Sequence, residues 1–448
     1  SRTGKLLAPK LGLLNLVVDA GLSLDARPVA FVPVSIGYER MMEDFELAQE
    51  KAGAKKQRES ARSLLAVADA LGDPYGRVSV RFGAPIDLAT LRAEMGIGPG
   101  QPTPAKRRGL TNKVASLVVR GIHANAELTA GSLVATALLD MPGRGLSHRD
   151  LVTECSRLLE VARRAGAHPS SSLVHGDGRL KETRVREAAT VFFEGGLLKR
   201  HVPDDTLGRD GEPAREPTSF DDVVYAIPEE ARSRLDLVKN QILHFYADRA
   251  LVSVAFLAAR TRAVPRGRLL ADATELGRML AHDLISFADG PIEERVERSV
   301  AEMIERGELA ELGDTVTLGA GDAGGDALGW ILTHAAHLAA AVEAYRVAAR
   351  SVRVLFDETL DLKQLTARAL RIGRDMFLGG EIDRREAVSG PTIHAAFEAF
   401  VERGLLDRAK DGYKPAPTAT VDAARALESY LAAAAPRARV SLSGATFG

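Results

Sequence analysis

Apolar positions in the first hundred residues change period several times. In "LLNLVVDAGL" (Leu13–Leu22) they recur at helical spacing. "VAFVPVSIG" (Val29–Gly37) is almost continuously apolar and β-branched, which predicts a strand buried on both faces. Phe45–Leu71 reads as a charged helix with a weak point at Gly53, and "RVSVRF" (Arg77–Phe82) alternates strictly, with Val78, Val80 and Phe82 on one side. Strand, long helix and strand predict a right-handed crossover in a mostly parallel sheet. Two strands do not make a stable sheet domain, so residues 1–95 read as the tail of a larger α/β sheet. A Gly-, Pro- and charge-rich stretch follows, and 96–110 reads as a linker.

From Thr111 onward the pattern is mainly helical. "AATVFFEGGLLKR" (Ala188–Arg200), "SVAEMIERGELAE" (Ser299–Glu311) and "AFEAFVERGLLDR" (Ala396–Arg408) align without gaps, with Gly196, Gly307 and Gly404 in register. Each glycine is placed to end an amphipathic helix in the left-handed conformation. A helix precedes each repeat and a short β-like run follows it. This order predicts winged-helix-like modules near 146–227, 265–317 and 360–416, within a helical region 111–448. Long helical stretches, Leu235–Ala259 and Leu328–Phe356, join them, and 208–219 and 318–327 read as surface loops or disordered insertions.

Composition narrows the classes. An apolar fraction of 46% and a charged fraction of 27% suit a soluble globular protein, and a net charge of −1 favours neither nucleic acid nor anionic lipid. Cys155 is the single cysteine, so no intrachain disulfide forms. The start lacks the apolar core of a secretory signal, and the longest uncharged run, Ala327–Val342, is short for a membrane span. Membrane contact would be peripheral. Leu235–Ala259 is the candidate docking helix, with a buried core helix as its alternative.

Nucleotide-binding and nucleophile-elbow motifs are absent. His334 and His337 lie one helical turn apart, but no further ligand is evident, and a hydrogen-bonded buried pair is the simpler reading. "VHGDGR" (Val174–Arg179) and "AHDL" (Ala281–Leu284) put His near Asp without the geometry of a catalytic pair. The winged-helix pattern raises DNA binding as an alternative, yet only the second helix of the first module is basic enough to meet phosphates.

The first forty residues carry a specific likeness. Ser1, Arg2, Thr3, Gly4 and Lys5, then Pro9 and Lys10, match the second half of E-G-G-R-S-R-T-G-(K/R) and the L-x-P-K that follows it. Val32, Pro33, Val34, Ile36, Gly37, Tyr38 and Glu39 match V-P-(I/V)-x-I-G-Y-E. These are the third and fourth motifs of the bacterial membrane-bound glycerol-3-phosphate acyltransferases, which the chain resembles. "KNQILHFYADRALVSVAFLAAR" (Lys239–Arg260) is also similar to a segment of that family.

The resemblance implies transfer of a fatty acyl group from acyl-CoA or acyl-carrier protein to the first hydroxyl of glycerol 3-phosphate, without a cofactor or metal. It implies a peripheral place on the cytoplasmic side of the cell inner membrane, in contact with the membrane surface, and no nucleic-acid partner. Ser1, Arg2 and Lys5 would hold the acceptor phosphate, which suits a bidentate guanidinium. Pro33 and Tyr38 would shape the cleft. The family's general base is a His followed, after four residues, by Asp, and none of the ten histidines has Asp at that spacing. Catalytic base and partner are therefore expected upstream of Ser1, with the chain a truncated or incompletely predicted product that is inactive alone. Val32, Val34, Val78, Val80 and Phe82 are then expected to expose apolar surface. A winged-helix DNA binder and a catalytically dead scaffold are the alternatives.

Overall fold

The computed structural model describes residues 3–6, 8–23, 28–54, 75–98, 102–141, 145–202, 220–284, 290–321, 326–410 and 412–435. Helix α1 (Leu11–Ser23) forms where the spacing predicts it and buries Val18 and Leu22. The apolar run after it is two strands, β1 (Ala30–Phe31) and β2 (Val34–Tyr38). Pro33 separates them, because proline cannot donate to a ladder. Next come α2 (Asp44–Lys51), β3 (Val78–Phe82), β4 (Ile86–Asp87) and α3 (Leu88–Glu94). Most of the helix expected over Phe45–Leu71 lies outside the described residues.

The expectation of a parallel crossover is corrected. β2 pairs antiparallel with β3, from Val34 opposite Phe82 to Tyr38 opposite Val78, and β1 pairs antiparallel with β4. A crossover needs its helix packed on the sheet. Here α2 is held away from it: Asp44 accepts from Arg234 Nε at 2.8 Å and Lys51 Nζ donates to Asp236 at 2.7 Å. The chain then returns alongside β2 in the opposite direction. The strand expected to be buried on both faces is half open, with Ile36 49% exposed. Apolar exposure is found at Val32, Val78, Val80 and Phe82, whereas Val34 is partly covered.

The second half of the expected linker is helical. Thr103 caps α4 (Pro104–Ala124), with its hydroxyl accepting from Lys106 N and proline in the first turn. Leu110 and Val114 of α4 share a core with Val18, Leu22, Leu88, Leu91 and Ile97, so packing runs across the stretch read as a linker.

The helical region opens with β5 (Glu127–Leu128) and α5 (Ala130–Asp140), which is buried along its whole length behind a Thr129–Ser132 capping box. β6 (Leu146–Ser147), α6 (His148–Arg164), β7 (His168–Pro169), α7 (Glu182–Glu194), β8 (Lys199–His201) and β9 (Val224–Ala226) follow. Next are α8 (Arg232–Lys239), α9 (Ala247–Ala258), β10 (Ala263–Pro265), α10 (Arg266–Met279), α11 (Ile292–Glu305), β11 (Leu309–Leu312) and β12 (Thr315–Leu318). The chain finishes with α12 (Ala327–Val352), α13 (Leu362–Leu378), α14 (Gly390–Glu402), β13 (Leu406–Ala409), β14 (Gly412–Pro415) and α15 (Val421–Ala434).

One pattern recurs three times: a short extended segment, two helices, then a hairpin. The segment is β6 in the first case, paired with β9, and β10 in the second, paired with β12. In the third it is the single bridge from Asp361 to Gly412. Gly196, Gly307 and Gly404 have φ of 68°, 74° and 66°, the left-handed stop their alignment predicts.

Leu235–Ala259 is corrected in two respects. It is not one helix: α8 and α9 are separated by a 3-10 turn at Leu243–Phe245. Nor is it a docking surface, since Leu251, Val252, Val254 and Phe256 are buried in the core shared with α10, α11 and α12. Among the described residues no helix is long and apolar enough to cross a membrane.

Candidate functional site

The third-motif segment lies on the last turn of α8. Gly4 has φ +75°, and a Cβ there would come within 2.1 Å of the Leu237 carbonyl oxygen. Only glycine permits that approach. Asn240 caps α8, and its Nδ2 donates to Thr3 O at 2.8 Å and to Asp236 Oδ2 at 3.0 Å. The next residue reaches the fourth motif: Gln241 Oε1 accepts from Tyr38 N at 3.1 Å, and its Nε2 donates to Tyr38 O at 3.2 Å.

A buried ionic network lies behind these contacts. Asp236 Oδ2 accepts from Lys51 Nζ at 2.7 Å, and Oδ1 is 3.7 Å from Lys239 Nζ. Lys239 is in turn 3.5 Å from Asp140, whose other oxygen pairs with His337 Nδ1. Burial alone pushes the Asp236 carboxyl up, but Lys51, Lys239 and Lys5 outweigh it and hold it well below the usual carboxylate range. Asp140 is likewise raised by burial and brought net downward by Lys239 and His337. Lys5, Lys51, Asp236, Lys239 and Asn240 line a cavity of about 10 Å³, which is room for about one water. A ligand much larger than a water does not fit inside it.

Among the site residues read from sequence, Ser1 and Arg2 lie outside the described residues. Lys5 is mostly buried and pairs with Asp283. Tyr38 is joined to Thr3 through Gln241 and Asn240. Pro33 turns elsewhere: its ring packs on Gly121 of α4, and its carbonyl accepts from Gly83 N at 2.7 Å.

His334 and His337 are buried on α12. His337 pairs with Asp140, and His334 Nε2 is 3.3 Å from Glu308. Among the described residues no group of three His, Cys, Asp or Glu could hold a metal ion. Of the His–Asp stretches, "AHDL" supplies Asp283 to Lys5, while His282 faces Glu402 at 2.9 Å. His175 sits in a turn closed by its own N–H to Arg179 O.

Sequence reasoning missed Asp236, Asn240 and Gln241. Asn240 and Gln241 lie at the start of Lys239–Arg260, which carried a family likeness, but nothing local signals that they touch residues about two hundred positions away.

A model of the glycerol-3-phosphate acyltransferase C-terminal region matches residues 48–409. The chain belongs to that family. It is 30% identical over 322 residues to a glycerol-3-phosphate acyltransferase of Ectopseudomonas mendocina (strain ymp), covering 70% of this chain and 36% of the relative. The corresponding protein of Pseudomonas aeruginosa (strain UCBPP-PA14) is 29% identical over 323 residues, again 70% and 36%. That of Pseudomonas fluorescens (strain Pf0-1) is 30% identical over 263 residues, 57% and 29%. The chain thus spans about a third of the length of these relatives, and the resemblance read from its motifs is borne out at the level of the family.

Proposed function

We propose that this chain serves an enzyme that moves a fatty acyl group from acyl-CoA or acyl-carrier protein to the sn-1 hydroxyl of glycerol 3-phosphate, an early step of phospholipid synthesis. The observation that supports this most is the meeting of Thr3–Lys5 and Tyr38 at one end of α8, held by adjacent side chains. On this reading Arg2 grips the acceptor phosphate in a bidentate fashion. Lys5, neutralised by Asp283, fixes the segment more than it binds the ligand. Tyr38 borders the acceptor site, and Pro33 supports the strand from the α4 side.

The acceptor hydroxyl needs a base to take its proton as it attacks the thioester carbonyl, and the thiol of the donor leaves. These 448 residues contain no His with Asp five positions on. By themselves they are expected to give no lysophosphatidate above background from radiolabelled acyl-CoA and glycerol 3-phosphate. The whole protein, with a His–Asp pair supplied, is expected to give it. Turnover by the 448 residues alone would overturn this account.

We read 1–95 as the sheet-bearing part of the catalytic unit and 111–448 as its helical support. The three strand–helix–helix–hairpin units are winged-helix-like modules used for packing: α14 of the third buries Ile393, Ala396, Phe397 and Phe400 in the central core. The donor reaches a membrane-associated enzyme, and the proposed place is the cytoplasmic face of the inner membrane.

A further inference from the structure

We infer that Asn240 and Gln241 are positioning residues that hold the third- and fourth-motif segments at one fixed spacing, so that the helical region preassembles the acceptor-binding surface. The inference rests on the acyltransferase reading above.

The geometry begins at the open edge of β2. Glu39 N donates to Arg77 O at 3.1 Å. Antiparallel pairing alternates, so the N–H and C=O of Tyr38, one residue earlier, point away from β3. A neighbouring strand would satisfy both groups. Gln241 does so instead: its carboxamide accepts from the N–H and donates to the C=O, as a peptide unit would. This contact spans 203 residues of sequence.

Asn240 acts the same way on the other segment. Its amide nitrogen has two hydrogens, one directed at Thr3 O and the other at Asp236 Oδ2. Ionised Asp236 is acceptor-only, which sets the amide with its nitrogen toward Thr3. Asp236 is itself fixed by Lys51 and Lys239. Adjacent side chains at one helix end therefore set the distance between two chain segments more than thirty residues apart. Neither residue needs to touch substrate to affect the reaction, because misplacing a binding segment is costly even when the chemistry is intact.

Two readouts test this. On the 448-residue chain, hydrogen exchange followed by mass spectrometry should show peptides covering Val34–Arg40 exchanging about tenfold faster in Gln241→Ala than in wild type. In the whole protein, Asn240→Ala/Gln241→Ala should raise KM for glycerol 3-phosphate and lower kcat/KM for it by about 10- to 100-fold, while KM for acyl-CoA stays at the wild-type value. Asn240→Asp should be no better than Asn240→Ala, since it sets a carboxylate against Asp236 and a carbonyl. A purely structural role would lower kcat and leave both KM values alone, and that result overturns the inference. So does an unchanged exchange rate at Val34–Arg40. If wild-type whole protein fails to acylate glycerol 3-phosphate, the acyltransferase reading falls. If wild type is active and the variants match it, only this inference falls.

Discussion

Replacing Asp236 by alanine is expected to destabilise the fold by about 3–5 kcal/mol at neutral pH. Asp236 is the carboxylate between Lys51 and Lys239, and the side chains of all three are almost fully buried. Removing it leaves two buried cations without their shared counter-charge and Asn240 without the acceptor that orients it. Asp236→Asn should cost less, because an acceptor oxygen remains for one lysine. The pH dependence has a definite sign. The folded-state pKa is depressed, so the stabilisation is complete above the ordinary carboxylate value of about 3.9 and is lost as pH falls below it. The stability gap between wild type and Asp236→Ala should therefore narrow as pH falls from about 5 toward 2. Urea unfolding at several pH values measures it, and a gap under about 1 kcal/mol at neutral pH contradicts the account of this network.

The second large effect is on activity. Gly4→Ala in the whole protein is expected to lower kcat/KM for glycerol 3-phosphate by about 100-fold. The added Cβ would lie 2.1 Å from the Leu237 carbonyl, which belongs to helix backbone and cannot move aside as a flexible side chain would. The segment must lift off α8, breaking the bond from Asn240 to Thr3. Wild-type kinetics in Gly4→Ala would mean that the third-motif segment does not need its seat on α8.

Local signals made much of the helical region legible. The three glycine stops could be aligned because left-handed termination is a property of one residue, and α1 and α12 follow from apolar spacing alone. Features decided by distant partners were hidden. Nothing local marks Lys51 and Asp236 as partners, since their pairing spans 185 residues. That pair and the Asp44–Arg234 contact draw α2 off the sheet, so strand direction could not be inferred from the order strand, helix, strand. The start of α4 was masked by its own signals, because Thr103 and Pro104 mark a helix N-terminus and a loop equally well. α9 is apolar enough for either a membrane surface or a core, and only its packing among α10, α11 and α12 decides between them. At the candidate site, the motifs marked two segments that the fold brings to one end of α8 but were silent about Asn240 and Gln241.

The most direct measurement is calorimetric titration of sn-glycerol 3-phosphate into the whole protein, wild type against Arg2→Ala. A guanidinium bound to a phosphate dianion contributes a charge-assisted pair, and its loss should weaken binding by at least about tenfold. Saturable binding in wild type and that weakening in Arg2→Ala are the predicted results. Equal affinity in the two proteins, or no binding to wild type, would contradict the claim that this chain carries the acceptor-binding segment of an acyltransferase.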